Sequence, residues 1–319
     1  MLLVMAGLLL AVRFIGSPIA TSLANRKLME MPEVVGRVDD VTLALWRGAI
    51  DVRDLVLHLR GHEDEPPLAH IRKATMRIAP SALFSGKLGA SVIVDGAEFH
   101  AVKRERIEDP LKAAEEVGDE VQEKKEQAAR WQDALRDTFP MELAKLEVKD
   151  ARVVFLDRTH QPTPELVLER LHVVAHDLQN RPKANDDPLP AKIEITGVTT
   201  GNGELRSSIQ VNPIAEQPRF TMDFELRGMQ LPPLNNFLRA YANADVSRGS
   251  FEVFVEVDAE GGAYNGYVKP MFHDLEFRTA SDEDKNFAEK LKGKAVAAVA
   301  SVFKNDEADQ VASKAPFAG

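Results

Sequence analysis

The chain contains no cysteine. Disulfides, thiolate metal sites and cysteine nucleophiles are therefore excluded together. Aromatic residues are sparse at 6%, and Trp46 and Trp131 are the only tryptophans. Nor is there a surplus of basic residues: 40 Lys and Arg stand against 50 Asp and Glu, a formal net charge of −10. A nucleic-acid surface needs clustered cations to neutralise phosphates. No stripe of basic and aromatic residues compensates for the acidic balance, so nucleic acid is not an expected partner. Catalytic signatures are missing too, since no G-x-S-x-G, Walker loop, G-x-G-x-x-G or H-E-x-x-H occurs.

The polar residues that remain do not assemble into chemistry. His58, His62 and His70 lie near Glu63, Asp64 and Glu65, but His58 and His62 sit at a strand end, not one helical turn apart, so the spacing does not converge on a metal. His172 and His176 share the polar phase of one strand, roughly 13 Å apart at ~3.3 Å per residue, which is too far for one ion. No pair of carboxylates occupies an apolar setting that would separate two pKa values. The expectation is a protein that is not an enzyme and uses neither metal nor cofactor.

What is present is a folded, strand-rich chain. Its 319 residues, 44% hydrophobic and 28% charged, suit one large β-rich domain or two ordinary ones. The start is apolar: Leu2–Val12 runs unbroken, Arg13 interrupts, and Phe14–Ala20 continues more weakly. Residues 1–24 read as a transmembrane signal anchor, matching the ~20 residues a span requires. A cleaved signal peptide, with Ser22 and Ala24 before the cut, and a buried core helix are the alternatives. Arg26 and Lys27 follow the segment and no charged side chain precedes it, a distribution that by itself disfavours an exported body.

From Gly36 the period becomes two. Val41, Leu43 and Leu45 alternate with Thr42 and Ala44, and Leu55, Val56, Leu57 and Leu59 follow a turn at Trp46-Arg47-Gly48. Further strands are expected at 68–79, 92–102, 146–155, 166–178, 191–199, 204–211, 219–227, 251–257 and 264–277. Asp95-Gly96 signals a turn or bulge, and Gly201-Asn202-Gly203 signals a hairpin. Val92–Phe99 echoes Leu146–Val153: alternation, an Asp before a small residue, then alternation again. Helical spacing appears at about 109–139, opened by Asp109-Pro110 and closed by Pro140, at 234–241, and at about 281–303 behind Ser281.

An antiparallel sheet with one apolar face must cover that face or leave it open as a groove. Phe220, Met222, Phe224 and Leu226 alternate with Thr221, Asp223 and Glu225, and Phe251, Val253, Val255 and Val257 form a second such row. With so few helices, some of that surface can remain available to lipid or a partner.

Several segments resemble an AsmA-like family of bacterial envelope proteins of uncharacterised function: Asn25-Arg26-Lys27-Leu28, Gly36-Arg37-Val38, Leu43–Ala49 (LALWRGA), Asp54–Leu57, Trp131–Leu135, Gly266–Pro270 (GYVKP), Phe303-Lys304-Asn305 and Pro316-Phe317. The similarity runs through nearly the whole chain, with LALWRGA and GYVKP its most specific parts. It implies a single-pass inner-membrane anchor (1–24) and a periplasmic body (25–319). That body would be mainly β, an elongated, curved, taco-like antiparallel β-groove carrying two longer helices. It implies a link to lipid transport and outer-membrane homeostasis, with the inner membrane, lipids and an envelope protein as candidate partners, and no catalytic residues. The expected lipid-facing residues are Leu43, Leu45, Phe220, Met222, Phe224, Leu226, Phe251, Val253 and Val255. The alternative is a structural adaptor that binds partner proteins through its sheet edges and the 109–139 helix.

Overall fold

The computed structural model describes residues 16–44, 47–78, 89–104, 142–178, 188–215, 217, 219–261, 263–278 and 312–313. Helix α1 (Ser17–Glu30) comes first, then strands β1 (Val34–Ala44), β2 (Ala49–Leu59), β3 (Ala69–Ile78) and β4 (Gly89–Lys103). The chain resumes with β5 (Glu142–Asp157), β6 (Glu165–Leu178), β7 (Ala191–Thr199), β8 (Glu204–Val211) and β9 (Phe220–Gln230). A 3-10 turn (Pro232–Leu234) leads into helix α2 (Asn235–Ala242), followed by β10 (Val246–Glu260), β11 (Ala263–Phe277) and the two-residue β12 (Ala312–Ser313).

All the described strands belong to one sheet whose spatial order is the sequence order. The fold is mainly β, as expected, but the sheet is mixed and not wholly antiparallel: β4 and β5 run parallel, as do β11 and β12. A parallel neighbour cannot be reached by a tight turn and needs a crossover of a dozen or more residues. The long connection between Lys103 and Glu142 supplies that length. The helix expected at 109–139 falls within this connection and lies outside the described residues, as does the one expected at 281–303. The echo between 92–99 and 146–153 acquires a meaning here, because these two stretches are the parallel pair, with Val92 opposite Leu146 and Phe99 opposite Val153.

The register carries one face across the whole sheet. In one row Leu43, Ile50, Met76, Val92, Leu146, Ala175, Ile193, Ile209, Met222, Val257 and Gly266 are successive cross-strand partners. The adjacent row is Val41, Val52, Ala74, Val94, Val148, Val173, Ile195, Ser207, Phe224, Val255 and Val268. Both rows are apolar throughout except for Ser207. On the opposite face the matching row is Asp51, Thr75, Ile93, Glu147, Val174, Glu194, Ser208, Asp223 and Glu256, polar except at Ile93 and Val174. Phe254 breaks this polar face, and the Arg227 guanidinium covers its ring at 5.0 Å.

Strict alternation would lose this face, because each long strand in the first half advances three residues once instead of two. In β4 the apolar positions are 92, 94, 97 and 99; in β5 they are 146, 148, 151 and 153. The three-residue step coincides with left-handed backbone at Gly96 (φ 63°) and Asp150 (φ 50°), with Asp54 (φ 49°) in β2 and Arg170 (φ 51°) in β6 at the same level. A second line crosses β9, β10 and β11 at Gly228, Gly249 and Asp274, where the pairing of β10 with both neighbours shifts register. Bulges of this kind bend a strand and increase its twist.

The expected anchor is revised at its C-terminal end. Residues 1–15 lie outside the described residues, and no described helix is long and apolar enough to cross a membrane. Ser17–Ala24 instead form the first turns of α1, which packs along edge strand β1. Ser17, Thr21 and Asn25, spaced four apart, occupy one helical face. The Leu43 amide donates to Ser17 Oγ (3.0 Å), the Val41 amide to Thr21 Oγ1 (2.9 Å) and the Val38 amide to Asn25 Oδ1 (2.7 Å). Asn25 Nδ2 donates in turn to the Val38 carbonyl (2.9 Å). Three side chains thus take the place of a neighbouring strand and satisfy an edge that would otherwise recruit one.

Candidate functional site

The apolar face deepens over β5–β11 into a cavity of about 780 Å³. Val153 and Phe155 of β5 line one side, Phe251 of β10 and Phe272 of β11 the other, with Leu205, Phe224 and Leu226 between them. In a flat sheet the six steps from β5 to β11 would span about 29 Å at ~4.8 Å each. Sharing one cavity of this size requires the sheet to curl, in keeping with its two lines of bulges.

Helix α2 closes one end. Leu234 at its N-cap and Leu238 on its inner face are buried with Leu231 and Val246. Leu166, Met229, Phe251, Phe272, Leu275 and Phe277 pack against that cluster. Asn235 holds the helix to β10 through a two-way bond with Val246, donating to its carbonyl and accepting from its amide, both at 2.8 Å. Asn25 makes the same arrangement with Val38 on α1.

The far end of α2 is fastened to the ends of β4 and β5. The Tyr241 hydroxyl donates to Asp157, whose side chain is fully buried. Asp157 also accepts from the Thr159 hydroxyl (2.5 Å) and amide (2.8 Å) and from Lys103 Nζ (3.4 Å). Burial alone would raise the Asp157 carboxyl, but bonds from Thr159, Tyr241 and Lys103 outweigh it and hold the group well below the usual carboxylate range. Burial and then the Asp157 bond push the Tyr241 phenol up. The Tyr241 ring lies 4.6 Å from the Phe237 ring and 5.3 Å from that of His160, with Lys103 Nζ 5.2 Å from its centroid. The network is a polar fastening at the margin of an apolar space. Within the lining, Thr199, Thr200 and Tyr241 are the polar side chains.

Eight of the nine residues expected to face lipid are described, and the register puts all eight on the apolar face. Leu45 lies outside the described residues. Phe224, Leu226 and Phe251 line the cavity. Val253 and Val255 are buried beside it, with Phe220 and Met222 packed against them. Leu43 is on the same face at the opposite end of the sheet, so it does not belong to the cavity. Sequence reasoning misses the β5–β6 wall (Val153, Phe155, Leu166, Leu168) and the cap residues of α2. The wall was signalled by apolar positions resuming out of phase after Asp150.

Among the described residues no group of three or more His, Asp or Glu side chains is placed to hold a metal ion. His172 and His176 both lie on the polar face, opposite Thr196 and Lys192. His172 is 3.4 Å from Glu147, which Lys145, against the effect of burial and together with His172 and Lys149, holds down to about 2. Of the described helices only α2 and its 3-10 turn pack on the cavity, and much of the remaining apolar face, including Val52, Val94, Val148 and Val173, is half-buried. No protein-family model matches the chain, and no curated protein matches it.

Proposed function

We propose that this protein is a membrane-anchored, AsmA-like envelope protein whose curled sheet holds lipid acyl chains and passes them along its apolar face. The observation that carries this reading is the cavity of about 780 Å³, which is within the ~300–1,000 Å³ range of small-molecule sites. Apolar side chains make up nearly all of its wall and continue across the sheet in two rows interrupted only at Ser207. Such a wall offers an acyl chain burial worth roughly 25 cal/mol per Å² and offers a polar substrate only Thr199, Thr200 and Tyr241 to bond. The apolar N-terminal segment, the envelope resemblance and the absence of catalytic motifs support an anchored carrier in the periplasm over an enzyme.

The test is direct. The full chain, purified from membranes in mild detergent, is extracted with organic solvent and the extract examined by mass spectrometry, and uptake of a fluorescent fatty acid is measured alongside. Co-purifying phospholipid and saturable uptake that unlabelled fatty acid displaces are expected. A clean extract together with no uptake overturns the proposal.

A further inference from the structure

The direction of α1 relative to the sheet carries an inference about how the groove meets a membrane. The partners of Ser17, Thr21 and Asn25 are Leu43, Val41 and Val38, in descending order. The helix axis therefore runs antiparallel to β1, and the helix start lies beside the end of β1 at Ala44. Pairing then sorts the strand ends into two rims. Ala44, Ala49, Ile78, Leu178, Ala191, Val211, Phe220, Glu260 and Ala263 lie along the rim at the helix start. The 60–68 loop, Asp157, Thr200 and all of α2 lie along the other.

The outward side of α1 carries no charge from Ser17 to Asn25 and gains it only in its last turns. Ile19 and Leu23 in the first two turns are 62% and 53% exposed. Arg26, Lys27 and Glu30 share the exposed positions of the last turns with Met29. A surface helix divides its apolar and charged residues between two faces; a helix leaving a bilayer divides them end to end, with Arg and Lys at the interface. The chain leading into Ser17 carries the Leu2–Val12 run.

We infer that the rim beside the start of α1 rests against a lipid bilayer, so that the groove lies along the membrane with its α2-capped rim turned away. This inference rests on the membrane attachment proposed above and adds its geometry. It also gives the apolar face a direction. On β9, Phe220, Met222, Phe224 and Leu226 lead from the membrane rim to the cavity, and on β10 Val257, Val255, Val253 and Phe251 run beside them. An acyl chain leaving the bilayer meets these rows first and the α2 cap last. The alternative is an end-on body, in which β1 lies at the membrane and β11 far from it.

The cysteine-free chain makes the two arrangements separable. Single cysteines are introduced in the full chain at Arg47 and Glu260 (membrane rim, near and far along the sheet) and at Asp64 and Glu204 (capped rim, near and far). Each is labelled with an environment-sensitive fluorophore, and the protein is reconstituted into phosphatidylethanolamine–phosphatidylglycerol vesicles carrying a headgroup quencher. All four sites are on the surface, and circular dichroism checks folding. Quenching at Arg47→Cys and Glu260→Cys with none at Asp64→Cys and Glu204→Cys is the expected result. Quenching at Arg47→Cys and Asp64→Cys alone overturns the inference in favour of the end-on body. No quenching at any site in protein that floats with the vesicles overturns it while leaving attachment intact. Protein that fails to float overturns the attachment itself.

Discussion

The pairing of α1 with β1 makes a demand that a single substitution can test. Asn25 forms two hydrogen bonds with Val38, accepting from its amide at 2.7 Å and donating to its carbonyl at 2.9 Å. Val38 is buried, at 4% exposure, so water replaces those bonds poorly. At about 1 kcal/mol net per bond, Asn25→Ala should cost ~2 kcal/mol. Local opening at the edge then becomes roughly thirtyfold more frequent, since each 1.4 kcal/mol is tenfold. Native-state amide exchange reads this at Val38, with Val255 in β10 as an internal control that should not move. Asn25→Asp keeps the acceptor and loses the donor, so it should recover about half the effect. Unchanged exchange at Val38 in Asn25→Ala, or equal acceleration at Val38 and Val255, would refute the assignment of α1 as a substitute strand.

Met222→Asp places a carboxylate in the apolar row between Ile209 and Val257. It should cost about 2–3 kcal/mol and reduce fatty-acid uptake, whereas Asp223→Asn on the opposite face should change neither; denaturant melts and uptake assays decide. Tyr241→Phe removes the hydroxyl that fastens α2 to Asp157 and should loosen the cap, seen as faster release of bound probe in stopped-flow, with an unchanged off-rate as the contrary result. Asp150 has φ 50°, so Asp150→Val should lose ~1–2 kcal/mol where Asp150→Gly is tolerated; equal melting of the two variants would remove the case for backbone strain there. Glu147 is held at about 2 against ~4.3 in an unfolded chain. A lowered folded pKa stabilises fully above the unfolded value and is lost as pH falls through the folded one, so stability should decline below pH ~4.3, less steeply in Glu147→Gln, as urea midpoints across that range will show.

Much of the sheet is legible in the sequence because period two is a local signal. The two strands within Gly36–Leu59, the hairpin around Asn202 and the strand from Phe220 all fold where the alternation places them. The parallel seam is not legible, since a residue's alternation is the same whichever way its neighbour runs. Nor does the pattern disclose the register shift on its own: Asp95-Gly96 reads as either turn or bulge, and only pairing with Lys149-Asp150 decides. The helix over 234–241 is expected and found within a residue, but its place across the cavity depends on Tyr241 meeting Asp157, 84 residues earlier in the chain. Ser17, Thr21 and Asn25 carry their spacing openly. Embedded next to a long apolar run they read as part of an anchor, because an edge strand's need for partners does not exist until the sheet has formed.

The two lines of left-handed residues give the sheet creases. Away from them the strands pair in continuous register, apart from one shift between β4 and β5 at Ala90–Ser91, and behave as stiff panels; at them ladder bonds are interrupted and the chain turns on a few backbone angles. The width of the trough is therefore governed at two fold lines, much as a hinged gutter opens and closes while its walls keep their shape. If the proposed carrier role holds, a trough of this kind widens for a bulkier acyl chain with little repacking inside either panel. Its calibre can be altered over evolution by changing residues such as Asp54, Gly96, Asp150 or Gly249, none of which needs to touch the cargo.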